Sequence, residues 1–159
     1  TIDVWVNNAG YLVEDEGSER EYDRTFNLNV KALYFVGKAV CEKMVKLHVQ
    51  GKMVNVSSIN SIQATLSPYY ISKASVNLIT SALAKKYIHN GININGIAPG
   101  YLPSGINYAD IHHNAYREQS YSKRFVLLEE VAELALFLVS GKANSIAEGN
   151  FAWIPNSNY

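Results

Sequence analysis

Tyr69 and Lys73 stand four positions apart in the run Tyr69-Tyr70-Ile71-Ser72-Lys73. In a helix that spacing sets both side chains on one face, a single turn apart. A nearby cation stabilises a phenolate, so the pairing lowers a phenol pKa that starts near 10 and makes proton transfer feasible near neutral pH. Taken alone the motif is weak. The chain holds 11 tyrosines, so chance matches come easily, and a solvated lysine beside a surface tyrosine is the ordinary reading. Tyr70 is a poorer partner, because it loses the one-turn spacing to Lys73.

Other residues with chemical potential fall at the ends of apolar runs. Asn7-Asn8-Ala9-Gly10 follows Ile2 to Val6, Ser57-Ser58 closes Met53 to Val56, and Pro99-Gly100 follows Ile92 to Ala98. Asn29 lies just before a helical pattern. Each has a plain structural alternative. Asn29 could cap or bend a helix, and the two serines could be strand-end hydroxyls. Asn8-Ala9-Gly10 could be a simple turn in which Gly10 lets the backbone approach a neighbour.

In this order, Asn-Asn-Ala-Gly, Ser, Tyr-x-x-x-Lys and Pro-Gly, each placed where a strand gives way to a loop or helix, resemble the short-chain dehydrogenase/reductase family. The resemblance runs from Ile2 to about Val139 and is specific as a set rather than motif by motif. It implies an α/β fold, a Rossmann-like doubly wound parallel sheet in one domain, and hydride transfer between NAD or NADP and a carbonyl or alcohol carbon of a small molecule. By position it makes Tyr69 the general acid/base. Lys73 would lower the phenol pKa and hold the nicotinamide ribose hydroxyls, Ser58 would hydrogen-bond the substrate oxygen, and Asn29 would hold a water that extends the proton relay. Asn27 rivals Asn29, but the following Val-Lys-Ala-Leu run favours Asn29. The gap between Ser58 and Tyr69 is shorter than the family's usual one.

The same resemblance takes Asn8, Ala9 and Gly10 past the adenosine side of the cofactor. It has Pro99 and Gly100 shape the nicotinamide wall, Leu102 offer backbone groups to the carboxamide, and Ser104 stand for the usual threonine. It also implies a homodimer or homotetramer paired through the two long helices. Where relatives commonly end in an Asp-Gly-Gly turn, Ile154-Pro155-Asn156 stands instead.

The elements that must position these residues alternate strand and helix, which argues for a parallel sheet with helices on its faces. Ile2 to Val6, Met53 to Val56, Ile92 to Ala98 and Phe151 to Ile154 read as strands. Ser18-Glu19-Arg20-Glu21 has the spacing of a capping box. Val30, Leu33, Tyr34, Gly37, Val40, Cys41 and Met44 recur at helical intervals and predict a buried stripe. A second long helix is predicted from about Pro68 to Asn90, with Pro at its start and Gly91 at its stop. Val131, Leu134, Ala135 and Leu138 mark a last helix. The stretch from Tyr101 to Arg124 has no clear period and reads as a substrate loop, in which Tyr101, Tyr108, His112, His113, Tyr116 and Arg117 suit a hydroxylated or weakly acidic ligand.

One expected part does not occur in the sequence. The family's glycine-rich turn for the cofactor pyrophosphate and the residue that reads the ribose belong to the first half of the fold. By that comparison roughly the first third of the domain, the first β-α-β units, is not in this sequence. The Ile2 to Val6 strand would then lose a neighbour, leaving unpaired amides and bare apolar faces, so the chain should be poorly stable unless that edge is covered. A rival reading follows, in which the chain binds no cofactor alone or associates through its sheet edge with a full-length relative.

Composition supports a globular protein and little else. Hydrophobic residues make up 48% of the 159 and the formal charge is zero, which gives no argument for nucleic acid or a membrane surface. No apolar run approaches a membrane span. The single Cys41 excludes an internal disulfide, fits a reducing, cytoplasmic compartment, and falls on an apolar helix stripe as a buried thiol would. His112 and His113 lack the spacing of helical metal ligands, and no metal site is read.

Overall fold

The computed structural model describes residues 1–12, 18–103, 116–120 and 122–152. Four strands, β1 (Val4–Asn7), β2 (Lys52–Val56), β3 (Asn93–Ala98) and β4 (Asn150–Ala152), lie side by side in chain order. Every pairing is parallel, with Val6 opposite Val54, Val54 opposite Asn95 and Ile97 opposite Phe151. Parallel neighbours need crossover connections, and helices supply them. The architecture is the expected α/β, Rossmann-like one.

Residue alternation assigns the two faces. Met53, Ile92 and Ile94 point to one side, where Val40, Cys41 and Met44 of α2 (Leu33–Lys46) and Leu83, Ala84 and Tyr87 of α3 (Pro68–Tyr87) close a core, with Trp5 of β1 packed against it. Val54 and Ile97 point to the other side and meet Leu138 of α4 (Leu128–Val139). Each such fully buried aliphatic side chain contributes about 1.5–3 kcal/mol. β3 is buried along its whole length, as a central parallel strand must be. β1 is not: Val4 and Val6 face the α4 side at 44% and 46% exposure, because α4 packs chiefly on β2 and β3.

Helix boundaries depart from the sequence expectation in one instructive place. Asn29 does not precede a helix; it lies inside one. α1 (Glu19–Phe26) runs without a break through a π-helical segment (Asn27–Ala32) into α2. Ser18 does cap the start, its Oγ accepting from the Glu21 amide at 3.1 Å. The reciprocal half of the capping box is replaced, however, since the Glu21 carboxylate accepts the Tyr11 hydroxyl at 2.6 Å. Tyr34, expected in the buried stripe, is turned outward, while Leu33, Gly37, Val40, Cys41 and Met44 keep it. The stripe is narrow because the contact is close: a Cβ on Gly37 would stand 3.3 Å from Leu83.

The other boundaries follow local chemistry. α3 starts at Pro68, continues into a short 3₁₀ turn (Ile88–Asn90), and is closed by Gly91 at φ 76°, a left-handed position that favours glycine. α4 is anchored at its start by Glu130, which takes both Arg124 Nη atoms at 2.8 and 2.6 Å and the Leu127 amide at 2.8 Å. The Arg124 hydrogen bonds hold that carboxyl at about 2. Cys41 is buried and free, and burial pushes its thiol up to about 11, so it is a packing residue rather than a nucleophile. Strand Phe151 to Ile154 is seen only as far as Ala152; Ile154-Pro155-Asn156 lies outside the described residues. No helix among those residues is long and apolar enough to cross a membrane.

Candidate functional site

The expected residues converge where β2 ends and α3 begins. Ser57 and Ser58 leave β2 and are buried. A 3₁₀ turn (Ile59–Ile62) follows, its second amide fixed by Ser58 Oγ accepting from Asn60 at 3.2 Å. This turn lets the short Ser58-to-Tyr69 connection close. Tyr69, in the first turn of α3, sits beside Ser58, whose side chain favours the ionised form of its hydroxyl. Lys73 lies one turn further along, 4% exposed, with Nζ donating to the Val56 carbonyl at 2.9 Å. Its ammonium is 5.8 Å from the Tyr69 ring centroid.

The electrostatics run against the simple expectation that Lys73 depresses the phenol. Burial pushes Tyr69 above the usual value of 10, and Ser58 pulls the other way without overcoming it. Burial also lowers Lys73 to about 8. Both groups are desolvated, and the lysine spends its nearest donor on a backbone carbonyl rather than on the phenol oxygen. The lysine therefore does little for the phenolate in the protein alone.

Asn29 is buried within the π-helical segment, whereas Asn27 is exposed. Its Oδ1 accepts the Tyr11 amide at 2.8 Å, and its Nδ2 donates to the Tyr11 carbonyl and to Ser72 Oγ, each at 2.9 Å. Three of its four side-chain hydrogen-bonding positions are thus used by protein, leaving one lone pair on Oδ1. Segments of this kind inside α-helices are frequent at functional sites.

Gly10 faces that arrangement directly. A Cβ there would meet Lys73 Nζ at 3.1 Å and Asn29 Oδ1 at 3.7 Å, so the missing side chain leaves a gap flanked by a cation and an amide oxygen. Asn8 and Ala9 diverge from it. They line a shallow cleft along β1, completed by Leu28, Ala32 and Val36. Pro99 joins the other flank, its carbonyl accepting the Ile59 amide at 2.9 Å, and Gly100 and Leu102 follow it half-buried. Ser104, Tyr108, His112 and His113 lie outside the described residues.

Three positions take roles that the sequence did not assign them. Ser57 Oγ donates to the Lys73 carbonyl at 2.8 Å, tying β2 to α3. Ser72 Oγ donates to the Tyr69 carbonyl at 2.7 Å while accepting from Asn29. Tyr11 delivers the backbone that Asn29 grips and is itself held by Glu21 and by Arg24 at 3.0 Å. The doubled serine and the Ser inside the Tyr-to-Lys run were the only signals. Among the described residues no group of three or more His, Cys, Asp or Glu could hold a metal.

Known proteins share this arrangement of elements. The family described as enoyl-(acyl carrier protein) reductase matches residues 1–151. Gluconate 5-dehydrogenase of Gluconobacter oxydans is 31% identical over 157 residues, 93% of this chain and 60% of that protein. 3β-Hydroxysteroid dehydrogenase 1 of Eggerthella lenta is 31% identical over 154 residues, 91% of this chain and 59% of its own length. The crystal structure of a gluconate 5-dehydrogenase from Burkholderia cenocepacia in complex with NADP and tartrate superposes with a TM-score of 0.84 at 25% identity, covering 95% of this chain and 62% of that one. The chain thus spans about 60% of the length of the curated relatives it matches. With a family match along nearly all its residues and a parallel sheet to suit, the chain belongs to the short-chain dehydrogenase/reductase family.

Proposed function

We propose that this chain carries the proton-transfer part of an NAD(P)-dependent oxidoreductase that interconverts an alcohol and a carbonyl group on a small molecule. The observation that carries the reading is the convergence of Ser58, the half-buried Tyr69 and the buried Lys73, whose ammonium lies 5.8 Å from the Tyr69 ring centroid. The residues fit the nicotinamide-ribose end of the cofactor on two counts. Gly10 leaves a gap that any side chain would fill, and the Lys73 ammonium and the Asn29 amide oxygen border it. The fit ends there, since the sequence contains no glycine-rich pyrophosphate turn.

When bound, the nicotinamide supplies or accepts the hydride. The chain's own residues handle the proton and the developing charge. Ser58 donates to the substrate oxygen and keeps the phenol oriented. Tyr69 gives its proton to a carbonyl oxygen in reduction and takes it back from the alcohol in oxidation. Lys73 holds the ribose hydroxyls and, with them, the charge beside the phenol. The free lone pair of Asn29 Oδ1 receives a water across the Gly10 gap, which connects Lys73 to solvent. Pro99, Gly100 and Leu102 border the nicotinamide, and Asn8 and Ala9 pass toward the adenosine side. Phe35 and Leu78, at 60% and 74% exposure on α2 and α3, are the faces for pairing into a homodimer or homotetramer.

The test is to titrate the chain with NADH and NADPH by fluorescence, then assay Tyr69→Phe. Binding with turnover abolished and affinity kept supports the reading; equal loss of both overturns the acid/base role. A second reading is favoured by β1 standing at the edge of the described sheet: the chain works only with that edge covered by a strand from a full-length relative. Cofactor binding that appears only after such a relative is added would select it.

A further inference from the structure

Among the described residues, Arg117 is a guanidinium whose setting no other part of the site explains. It sits in a compact turn that follows the segment beginning at Tyr101. The Arg117 amide donates to the Lys123 carbonyl at 3.0 Å, the Ser120 amide to the Arg117 carbonyl at 3.0 Å, and Tyr116 forms an antiparallel bridge with Arg124. Its guanidinium carbon lies 5.0 Å from the centroid of the Tyr101 ring and 5.7 Å from that of Phe125. Both rings lie within cation–π range of the fork and restrict it. Its Nε is buried and finds no hydrogen-bond acceptor, and no described carboxylate pairs with it. Arg124, seven residues on, shows the contrast, because both its Nη atoms are taken by Glu130.

Tyr101 connects this cation to the site. It comes directly after Pro99 and Gly100, whose segment is pinned beside Ser58 through the Ile59 amide. Its carbonyl accepts the Val126 amide at 2.8 Å, which fixes the Arg117 turn against the same segment. A planar guanidinium with a buried unpaired N–H, clamped by aromatic rings, is complete when a planar anion accepts from it side-on. We infer that Arg117 is a specificity-determining residue that receives the carboxylate of the substrate, and that the substrate is a hydroxy acid or keto acid rather than a neutral alcohol or ketone. The inference rests on the oxidoreductase reading and narrows its substrate class. Stacking on two rings without a ligand is the alternative.

The experiment compares the full chain with Arg117→Gln and Arg117→Lys. D-Gluconate, tartrate and the neutral polyol glucitol are the probes, read by isothermal titration and, with NADH or NADPH and a matching keto acid, by steady-state kinetics. Wild type should bind gluconate or tartrate in preference to glucitol. Arg117→Gln should weaken that binding and raise KM by about 10- to 100-fold with little change in kcat, the usual scale for hydrogen bonds to a charged group. Arg117→Lys should recover only part of the loss, since it keeps the charge without the fork. Equal affinity of wild type and Arg117→Gln for the carboxylates, or wild-type preference for glucitol, overturns the inference. The titration needs no nicotinamide, so its outcome is separate from failure of NADH and NADPH to bind, which would count against the oxidoreductase reading alone.

Discussion

Asn29 Nδ2 donates to Ser72 Oγ at 2.9 Å, and Ser72 Oγ in turn donates to the Tyr69 carbonyl at 2.7 Å. This chain of two bonds fastens the π-helical segment to the first turn of α3, between Tyr69 and Lys73. The amide is thus a bracket for the tyrosine's helix as well as a neighbour of the Gly10 gap. Ser72→Ala should leave one buried Nδ2 proton unpaired and lower stability by about 1–3 kcal/mol. Urea unfolding measures it, and an unchanged midpoint would show that the bond does not hold the two helices together.

Ser58 favours the ionised Tyr69 phenol, against the stronger opposing effect of burial. Removing the hydroxyl takes away the favourable contribution, so Ser58→Ala should move the Tyr69 pKa further up. In the alcohol-oxidising direction, where the phenolate accepts the proton, the rising limb of the pH–rate profile should shift to higher pH. The rate should also fall by roughly 10²–10³, the scale of one lost hydrogen-bond donor to a developing oxyanion. A profile that keeps its limb would separate Ser58 from the tyrosine's titration.

How far the sequence reveals the protein differs between scaffold and site. β2, β3, α3 and α4 are legible because their signals are local: apolar runs of strand length, Pro68 at a helix start, Gly91 at its stop. Tyr69, Lys73 and Ser58 are legible because type and spacing meet at one strand end. The π-helical segment is not, since Asn27 to Ala32 carry no breaker residue, and what widens the helix there is the long-range grip of Asn29 on Tyr11 and Ser72. The raised phenol is not legible either. The one-turn spacing announces a cation but cannot say that burial outweighs it, or that Val56 offers its carbonyl to that cation.

Gly10 offers a test that leaves the fold intact. Its backbone is outside the left-handed region, so alanine introduces no conformational strain. The new methyl would nonetheless stand 3.1 Å from Lys73 Nζ and close the gap to Asn29. Gly10→Ala should therefore keep wild-type thermal stability within about 1 kcal/mol, the range of a tolerated substitution. Affinity for NADH or NADPH should fall by at least about tenfold, equivalent to 1.4 kcal/mol. Unaltered affinity would remove Gly10 from the cofactor path.

Lys73 gives the sharpest pH prediction, because its charged form is disfavoured by the fold that uses it. Its pKa falls from the ordinary 10.5 to about 8, and burial is the cause. The folded chain therefore binds this proton less tightly than the unfolded chain. Between pH 8 and 10.5 the unfolded state carries more protons at this position, so its contribution makes stability rise with pH across that window. Below the window the destabilisation is present in full, at about 3 kcal/mol. Lys73→Met abolishes it and forfeits the hydrogen bond to Val56, worth about 1 kcal/mol. At pH 7 the variant should accordingly be the more stable protein by roughly 2 kcal/mol, even as turnover is lost. The difference should shrink as pH rises toward 10, which paired urea denaturations at several pH values would measure. A variant less stable at pH 7, or a difference that stays flat with pH, would mean that Lys73 remains hydrated and that its charge is not strained by burial.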